Sequence, residues 1–277
     1  MPHTKHRNLG LSALLLFLSA VFLFPLFIVL INSFKGQFFI NASPFTLPTA
    51  DTFAGFTNFI SGIEKTGFFS AFFYSLFITV FSVLAIALFT AMTAWYIVRA
   101  KGFVSNLLYY SFVFSIIVPF QMVMFTMSKV ANILHFDNPL GIIFIYLGFG
   151  AGLSVFIYSG FVKSIPLEIE EAATVDGCGP VKMFFLVIFP ILRPTAITVS
   201  ILNAMWIWND YLLPYLVIGS DYKTIPIAVQ YLQGGYGSRD MGALMAMLVL
   251  AIIPIVIFYL LCQKYIIKGV ISGAVKG

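Results

Sequence analysis

Acidic side chains are rare in this chain, and four of its ten fall close together. They are Glu168, Glu170, Glu171 and Asp176, which form the only cluster of acids in the sequence. Carboxylates, histidines and cysteines build most catalytic and metal sites, so this cluster is the first place to look for chemistry. A second, smaller group of polar residues ends in an Asn-Asp pair at positions 209 and 210.

The sequence lacks the spacing signatures that catalysis requires. It contains no G-x-x-x-x-G-K-[ST] to hold nucleotide phosphates, and no H-E-x-x-H, C-x-x-C or G-x-S-x-G. Cys178 and Cys262 are far apart, and His3, His6 and His135 lie in a polar tail and a short loop, so neither residue type suggests a metal site or a disulfide. We therefore expect a non-enzymatic protein with no catalytic residue, metal or cofactor.

The acidic stretch predicts two helices joined by a tight turn. Pro166 suits the first turn of a helix, and the acids that follow favour its positive end. Gly177 is placed to end that helix in a left-handed conformation, and Gly179-Pro180 suits the start of a second short helix. Small Ala172 and Ala173 would let another surface approach the backbone closely. The alternative is a solvated loop without a partner.

Asn203, Trp206 and Asn209 recur at helical spacing and precede Asp210. Amide, carboxylate and indole groups are suited to contact with a polar solute, so these four residues are a candidate path or gate for one. A charge within a membrane costs about 2.5–3.5 kcal/mol on insertion scales, so Asp210 should face a cavity, a partner or the bundle interior. The alternative is that Asn209 and Asp210 join helices or close the end of a span.

Composition identifies the elements that carry these residues as membrane helices. The chain is 61% hydrophobic and 9% charged, whereas soluble domains carry about 25% charge. A soluble enzyme, a disordered protein and a disulfide scaffold are thereby excluded, and mean hydropathy is +1.02. Six stretches are long enough to cross a bilayer. They are residues 9–31, 68–98, 104–127, 139–162, 195–218 and 242–265.

The distribution of basic residues predicts the orientation. With the N-terminus inside, Lys and Arg divide 10 to 5 between inner and outer segments. The inner residues are Lys5, Arg7, Arg99, Lys101, Lys163, Lys182, Arg193, Lys264, Lys268 and Lys276. Because inner flanks are enriched in Lys and Arg, both termini should be cytoplasmic and loops 34–67 and 219–241 outside. The net charge of +5 is thus explained without nucleic acid.

The acidic loop resembles the EAA motif of ATP-binding-cassette (ABC) importer permeases, E-A-A-x3-G-x9-I-x-L-P. The matching residues are Glu171, Ala172, Ala173, Gly177, Val187, Phe189 and Pro190, with Val187 and Phe189 as mild apolar departures. Tyr96–Phe103 is similar to the segment that follows the second span in this family. Residues 208–214 and 269–277 look like its carbohydrate branch, specifically the maltose-type second permease. The resemblance covers roughly residues 65–277.

This resemblance implies an all-α membrane protein with six transmembrane helices and the type I importer permease fold, N-in and C-in. It implies a first helix and outer loop (1–67), a permease core (68–267) with a coupling loop (163–193), and a cytoplasmic tail (268–277). The implied coupling residues are Glu170, Glu171, Ala172, Ala173, Asp176, Gly177 and Pro190.

The same resemblance implies a bacterial cytoplasmic membrane protein that imports a carbohydrate by alternating access. Its expected partners are a second permease subunit in a heterodimer, two cytoplasmic ATP-binding subunits, an extracytoplasmic sugar-binding protein and membrane lipid. Two alternatives stay open: a permease of the same architecture for a non-sugar solute, and a stand-alone secondary transporter.

Overall fold

The structure, a computed structural model, describes residues 9–219, 221–233 and 240–274. Within these residues the regular elements are all helical, as the composition predicts. They are α1 (Leu9–Asn32), α2 (Gln37–Ala42), α3 (Thr57–Thr66), α4 (Phe68–Ala100), α5 (Phe103–Ile117), α6 (Phe120–Ile133), α7 (Gly141–Val162), α8 (Leu167–Val175), α9 (Pro180–Met183), a π-helical turn (Phe184–Ile188), α10 (Phe189–Asn209), α11 (Leu212–Val217), α12 (Ile225–Tyr231) and α13 (Met241–Ala274).

Five helical segments of the described chain are long and apolar enough to cross a membrane, and a bent pair brings the number to six. The first, second, fourth and sixth predicted spans correspond to α1, α4, α7 and α13. The predicted third span, over residues 104–127, is present as a broken one, because α5 and α6 meet at 108°. Pro119 is the physical cause: it has no N–H to continue the helix and holds Val118 in an extended conformation.

The fifth span begins earlier than predicted, at Pro180 rather than near Thr195. The expected second short helix, α9, therefore continues into the span through the π-helical turn. Pro190 explains this turn, because its missing N–H leaves the carbonyl of Leu186 without an α-helical partner. The helix also ends earlier, at Asn209, so Asp210 follows the helix instead of lying within it.

The chain divides into two compact units, residues 1–69 with 228–254, and residues 70–227 with 255–277. The second unit contains the acidic loop and is built around α7, which packs against α5 and α10. Close packing needs glycine here, since a Cβ on Gly150 would lie 2.6 Å from Ile86 Cδ1 and 2.9 Å from Asn203 Oδ1.

The predicted domain boundaries at 67/68 and 267/268 follow the membrane topology and not these two compact units, and they stay a prediction. α13 runs to Ala274, so most of the predicted tail is helical.

In the first unit, the predicted outer loop is held by buried polar groups. Lys35 is fully buried and donates from Nζ to the Ser43 carbonyl (2.8 Å), while Asn58 Nδ2 donates to the carbonyls of Ser33 and Lys35. Lys65 forms an ion pair with Asp240, which also accepts from the Ala243 N–H at the start of α13. Partial burial opposes ionisation of Asp240, but hydrogen bonds from Lys65 and Ala243 outweigh it, and the pKa of this carboxyl is lowered.

We predict that cysteines placed at Asp51 and Asp221 react with a membrane-impermeant maleimide in intact cells, and that one at Lys163 does not. All three positions are exposed, so accessibility reports sidedness and not burial. Lys35 would be unsuitable, because it is fully buried. Labelling at Lys163 after permeabilisation is the control for reactivity. Labelling at Lys163 alone in intact cells would reverse the orientation that the charges predict.

Candidate functional site

The acidic loop forms the predicted helix, turn and helix. α8 ends at Val175, Asp176 caps it, and Gly177 adopts φ +79°. The N–H of Gly177 donates to the Thr174 carbonyl and that of Cys178 to the Ala173 carbonyl, each at 3.0 Å. These two bonds are those of a Schellman motif, which requires a left-handed residue at this position. The prediction that Gly177 ends this helix in a left-handed conformation is therefore confirmed.

The carboxylate of Glu170 points into the protein. Its Oε1 accepts from Arg99 Nε at 2.7 Å, and its Oε2 accepts from Trp95 Nε1 at 3.1 Å. Arg99 Nη2 also donates to the Ile165 carbonyl at 2.9 Å. The side chain of Glu170 is 9% exposed and that of Arg99 is 21% exposed, so the pair is largely removed from solvent. Removing one partner of a buried ion pair costs about 3–5 kcal/mol, so this contact fixes α8 against α4.

The two alanines of the motif have opposite environments. Ala172 is exposed, whereas Ala173 is 8% exposed and belongs to the buried core of this unit. The expectation that both allow another surface to approach is thus wrong for Ala173. Nine residues of helix present two faces, and Ala173 lies on the face that packs inward. Glu171 and Asp176 are exposed, as an external contact would require.

Sequence reasoning missed two exposed apolar residues that flank the turn. Val175 is 87% exposed and Val181 is 67% exposed. Apolar side chains that sit in a polar loop and remain uncovered mark a contact surface. The only signal available in the sequence was a valine on each side of the Asp176–Pro180 turn, which is indistinguishable from ordinary core valine.

Asn203 does not line an open path. It is 5% exposed and donates from Nδ2 to Ser154 Oγ (3.1 Å) and to the Val199 carbonyl (2.8 Å). It therefore connects α10 to α7, and the close approach at Gly150 is part of the same packing. Trp206 is 40% exposed, and Asn209, also exposed, donates to its own helix at the Met205 carbonyl. Of the three residues at helical spacing, only the latter two reach the surface.

The carboxylate of Asp210 is already engaged within the chain. Oδ1 accepts from the N–H groups of Leu212 (3.1 Å) and Leu213 (3.4 Å), and Oδ2 accepts from the Tyr146 hydroxyl (3.2 Å). Tyr146 is fully buried and packs edge-to-face against Trp206. Asp210 thus caps α11 and ties it to α7, which matches the helix-joining alternative. Sequence reasoning missed Tyr146, since one tyrosine in an apolar span carries no signal.

The part of the chain that the structure describes contains no group of three metal-ligating side chains. Cys178 and Cys262 are both free thiols. His3, His6, Lys5, Arg7, Arg239 and Lys276 lie outside the described residues.

Comparisons with known proteins agree with this geometry. Residues 84–272 match the family of the binding-protein-dependent transport system inner membrane component. The chain is 39% identical to the Probable starch degradation products transport system permease protein AmyC of Thermoanaerobacterium thermosulfurigenes, over 94% of this chain and 93% of that protein. It is 35% identical to the Multiple sugar-binding transport system permease protein MsmG of Streptococcus mutans, over 92% of each.

A solved structure gives the same fold. The chain superposes on a bacterial ABC transporter involved in the import of the acidic polysaccharide alginate with a TM-score of 0.77. The superposition covers 96% of this chain and 99% of that one at 20% identity, which supports the permease fold and no more. The family match covers most of the chain, including the acidic loop. The chain therefore belongs to the family of inner membrane components of binding-protein-dependent transport systems.

Proposed function

We propose that this chain is a permease subunit of an ABC importer that brings a carbohydrate across the cytoplasmic membrane. The observation that carries the proposal is similarity over more than nine-tenths of the chain to permeases named for sugars. A third relative, the melibiose/raffinose/stachyose import permease MelC of Bacillus subtilis, is 32% identical over 91% of each chain. The named cargoes are all sugars or products of polysaccharide breakdown, so a carbohydrate is the expected solute.

The loop provides the surface through which an ATPase would drive the subunit. Its turn presents the carboxylates of Glu171 and Asp176, the small Ala172, and the apolar Val175 and Val181. An apolar tip with acidic neighbours fits a groove that has an apolar floor and basic margins. The proposed assembly contains a second permease, two ATP-binding subunits and an extracytoplasmic sugar-binding protein, with both termini of this chain in the cytoplasm.

Within the spans, Trp206 and Asn209 remain the candidates for contact with a passing sugar. Both are exposed on α10, and an indole face beside an amide is a suitable surface for a hydroxyl-rich ring. Asn203 and Asp210 are better explained as packing and capping residues that hold α10, α11 and α7 in place.

Uptake by cells tests the proposed function. Deleting the gene should abolish binding-protein-dependent uptake of at least one labelled sugar among maltotriose, melibiose and raffinose, and expression of this chain should restore it. Uptake should stop with vanadate and survive a protonophore while ATP is maintained. Inhibition by the protonophore alone would favour a secondary transporter. Loss of peptide or anion uptake, with all three sugars unaffected, would favour a non-sugar permease.

Two glycines of the loop provide a matched pair of variants for ATPase docking. Gly177→Val must place a β-branched residue at φ +79°, which costs roughly 1–2 kcal/mol, although a Cβ there meets no atom within 4 Å. Gly179→Val meets equally open space, but φ −70° and ψ 166° suit valine. Gly177→Val should therefore lose co-purification with the ATPase and uptake, whereas Gly179→Val keeps both. Membrane abundance is measured for each, and equal uptake by the two variants at equal abundance would contradict the proposed docking turn.

A further inference from the structure

α4 holds the acidic loop at two points, and presentation of a docking surface alone does not require this double attachment. Two side chains of α4, Trp95 and Arg99, donate two hydrogen bonds to Glu170 of α8 and a third to the Ile165 carbonyl just before α8. The guanidinium of Arg99 holds the loop at two points, the Glu170 carboxylate and the Ile165 carbonyl. Two attachment points five residues apart resist rotation and sliding, which a single contact would allow.

α8 cannot hold its own position. It has nine residues, and isolated helices shorter than about 12–15 residues are marginal in water. Its attachments to the rest of the unit include the buried methyl group of Ala173, the Gly177 turn and the bonds of Glu170. The Glu170 contact is the most difficult of these to separate. Breaking it would leave the Glu170 carboxylate without its donors and the Trp95 N–H and the Arg99 Nε–H without their acceptor.

We propose that Glu170, Arg99 and Trp95 form a brace that makes the end of α4 carrying Arg99 move as one body with α8. The inference rests on the proposed function, in which an ATPase displaces the loop. Glu170 is then a positioning residue that transmits force to the second span, while its neighbour Glu171 faces the partner. This assignment separates two adjacent glutamates of one motif into an inward and an outward role.

The number of donors that face Glu170 indicates which variant tests the brace most directly. Glu170→Gln keeps the size of the side chain but offers one acceptor oxygen and an NH2 group where two acceptors are needed. Either Trp95 Nε1–H or Arg99 Nε–H must then face a donor. Adding Trp95→Phe removes the competing N–H, so the amide oxygen of the double variant Glu170→Gln/Trp95→Phe can accept from Arg99 Nε without leaving an indole N–H opposite a donor. Glu168→Gln makes the same chemical change on an exposed residue of α8 and is the matched control.

In the assembled importer in proteoliposomes, Glu170→Gln should bind the ATPase and hydrolyse ATP within twofold of wild type. Its uptake of the best-transported sugar of the panel above should fall at least fivefold, so that more ATP is used per sugar. The double variant should recover at least half of the uptake, and Glu168→Gln should be unchanged. Wild-type uptake per ATP in Glu170→Gln would overturn the brace and leave the proposed function intact. Loss of ATPase binding by Glu170→Gln would also overturn it, because the residue would then serve docking.

A spectroscopic measurement tests the brace without knowledge of the sugar. Spin labels are attached to cysteines at Lys101 and Glu168, both exposed, in a chain with Cys178→Ala and Cys262→Ala. The dipolar broadening between the labels should be the same without nucleotide and with trapped ATP, and in Glu170→Gln it should change when ATP is trapped. A nucleotide-dependent change in the chain that retains Glu170 would show that α8 moves independently of α4, and the brace would be wrong.

Discussion

A carboxylate that is taken out of water needs donors for both of its oxygens, and the loop is arranged around this requirement at Glu170. Arg99 and Trp95 supply the donors from a helix 71 residues earlier in the chain. Glu170 and Ala173 lie on the inward face of α8, whereas Glu171, Ala172 and Val175 remain outside. The Gly177 turn then directs the chain back toward the membrane, into the long helical segment that begins at Pro180.

The membrane imposes the same requirement on the spans, because hydrocarbon offers no hydrogen bonds. Two polar residues of the fifth span and its outer end meet it internally. Asn203 donates to Ser154 and so joins α10 to α7. Asp210 accepts from N–H groups at the start of α11 and from the Tyr146 hydroxyl. Pro119 lies where the chain changes direction between α5 and α6. Pro190 follows the π-helical turn, where the helix is wider. Polar residues that look functional in the sequence thus act largely as structural connections.

The features that depend on neighbouring residues along the chain could be predicted from the sequence. Apolar run lengths placed most of the spans, and the Gly177 turn followed from the order Pro, acids, Gly, Gly-Pro. Pro119 signals an interruption, but the angle of 108° depends on what α5 and α6 pack against. The predicted fifth span begins near Thr195, whereas the observed helix includes Arg193 and Pro194, a charged residue and a proline that an apolar run does not contain.

The inward and outward roles within the loop could not be predicted in the same way. Glu170 and Glu171 are chemically identical neighbours, as are Ala172 and Ala173, and only the partners from α4 and the core distinguish them. The segment Tyr96–Phe103, which resembles the family pattern, contains Arg99, but no spacing rule connects Arg99 to residue 170. Long-range pairing of this kind is visible only in three dimensions.

The central claim is that the loop carries an ATPase-contacting face fixed by its internal packing, and one pair of cysteines tests it directly. Ala172→Cys and Ala173→Cys are equal in size and adjacent, and both are made with Cys178 and Cys262 replaced by alanine. After treatment with a photoactivatable thiol reagent, the Ala172 position should crosslink to the ATP-binding subunit, and the buried Ala173 position should not. Equal crosslinking from both positions, or none from Ala172 in an assembled importer, would contradict the account.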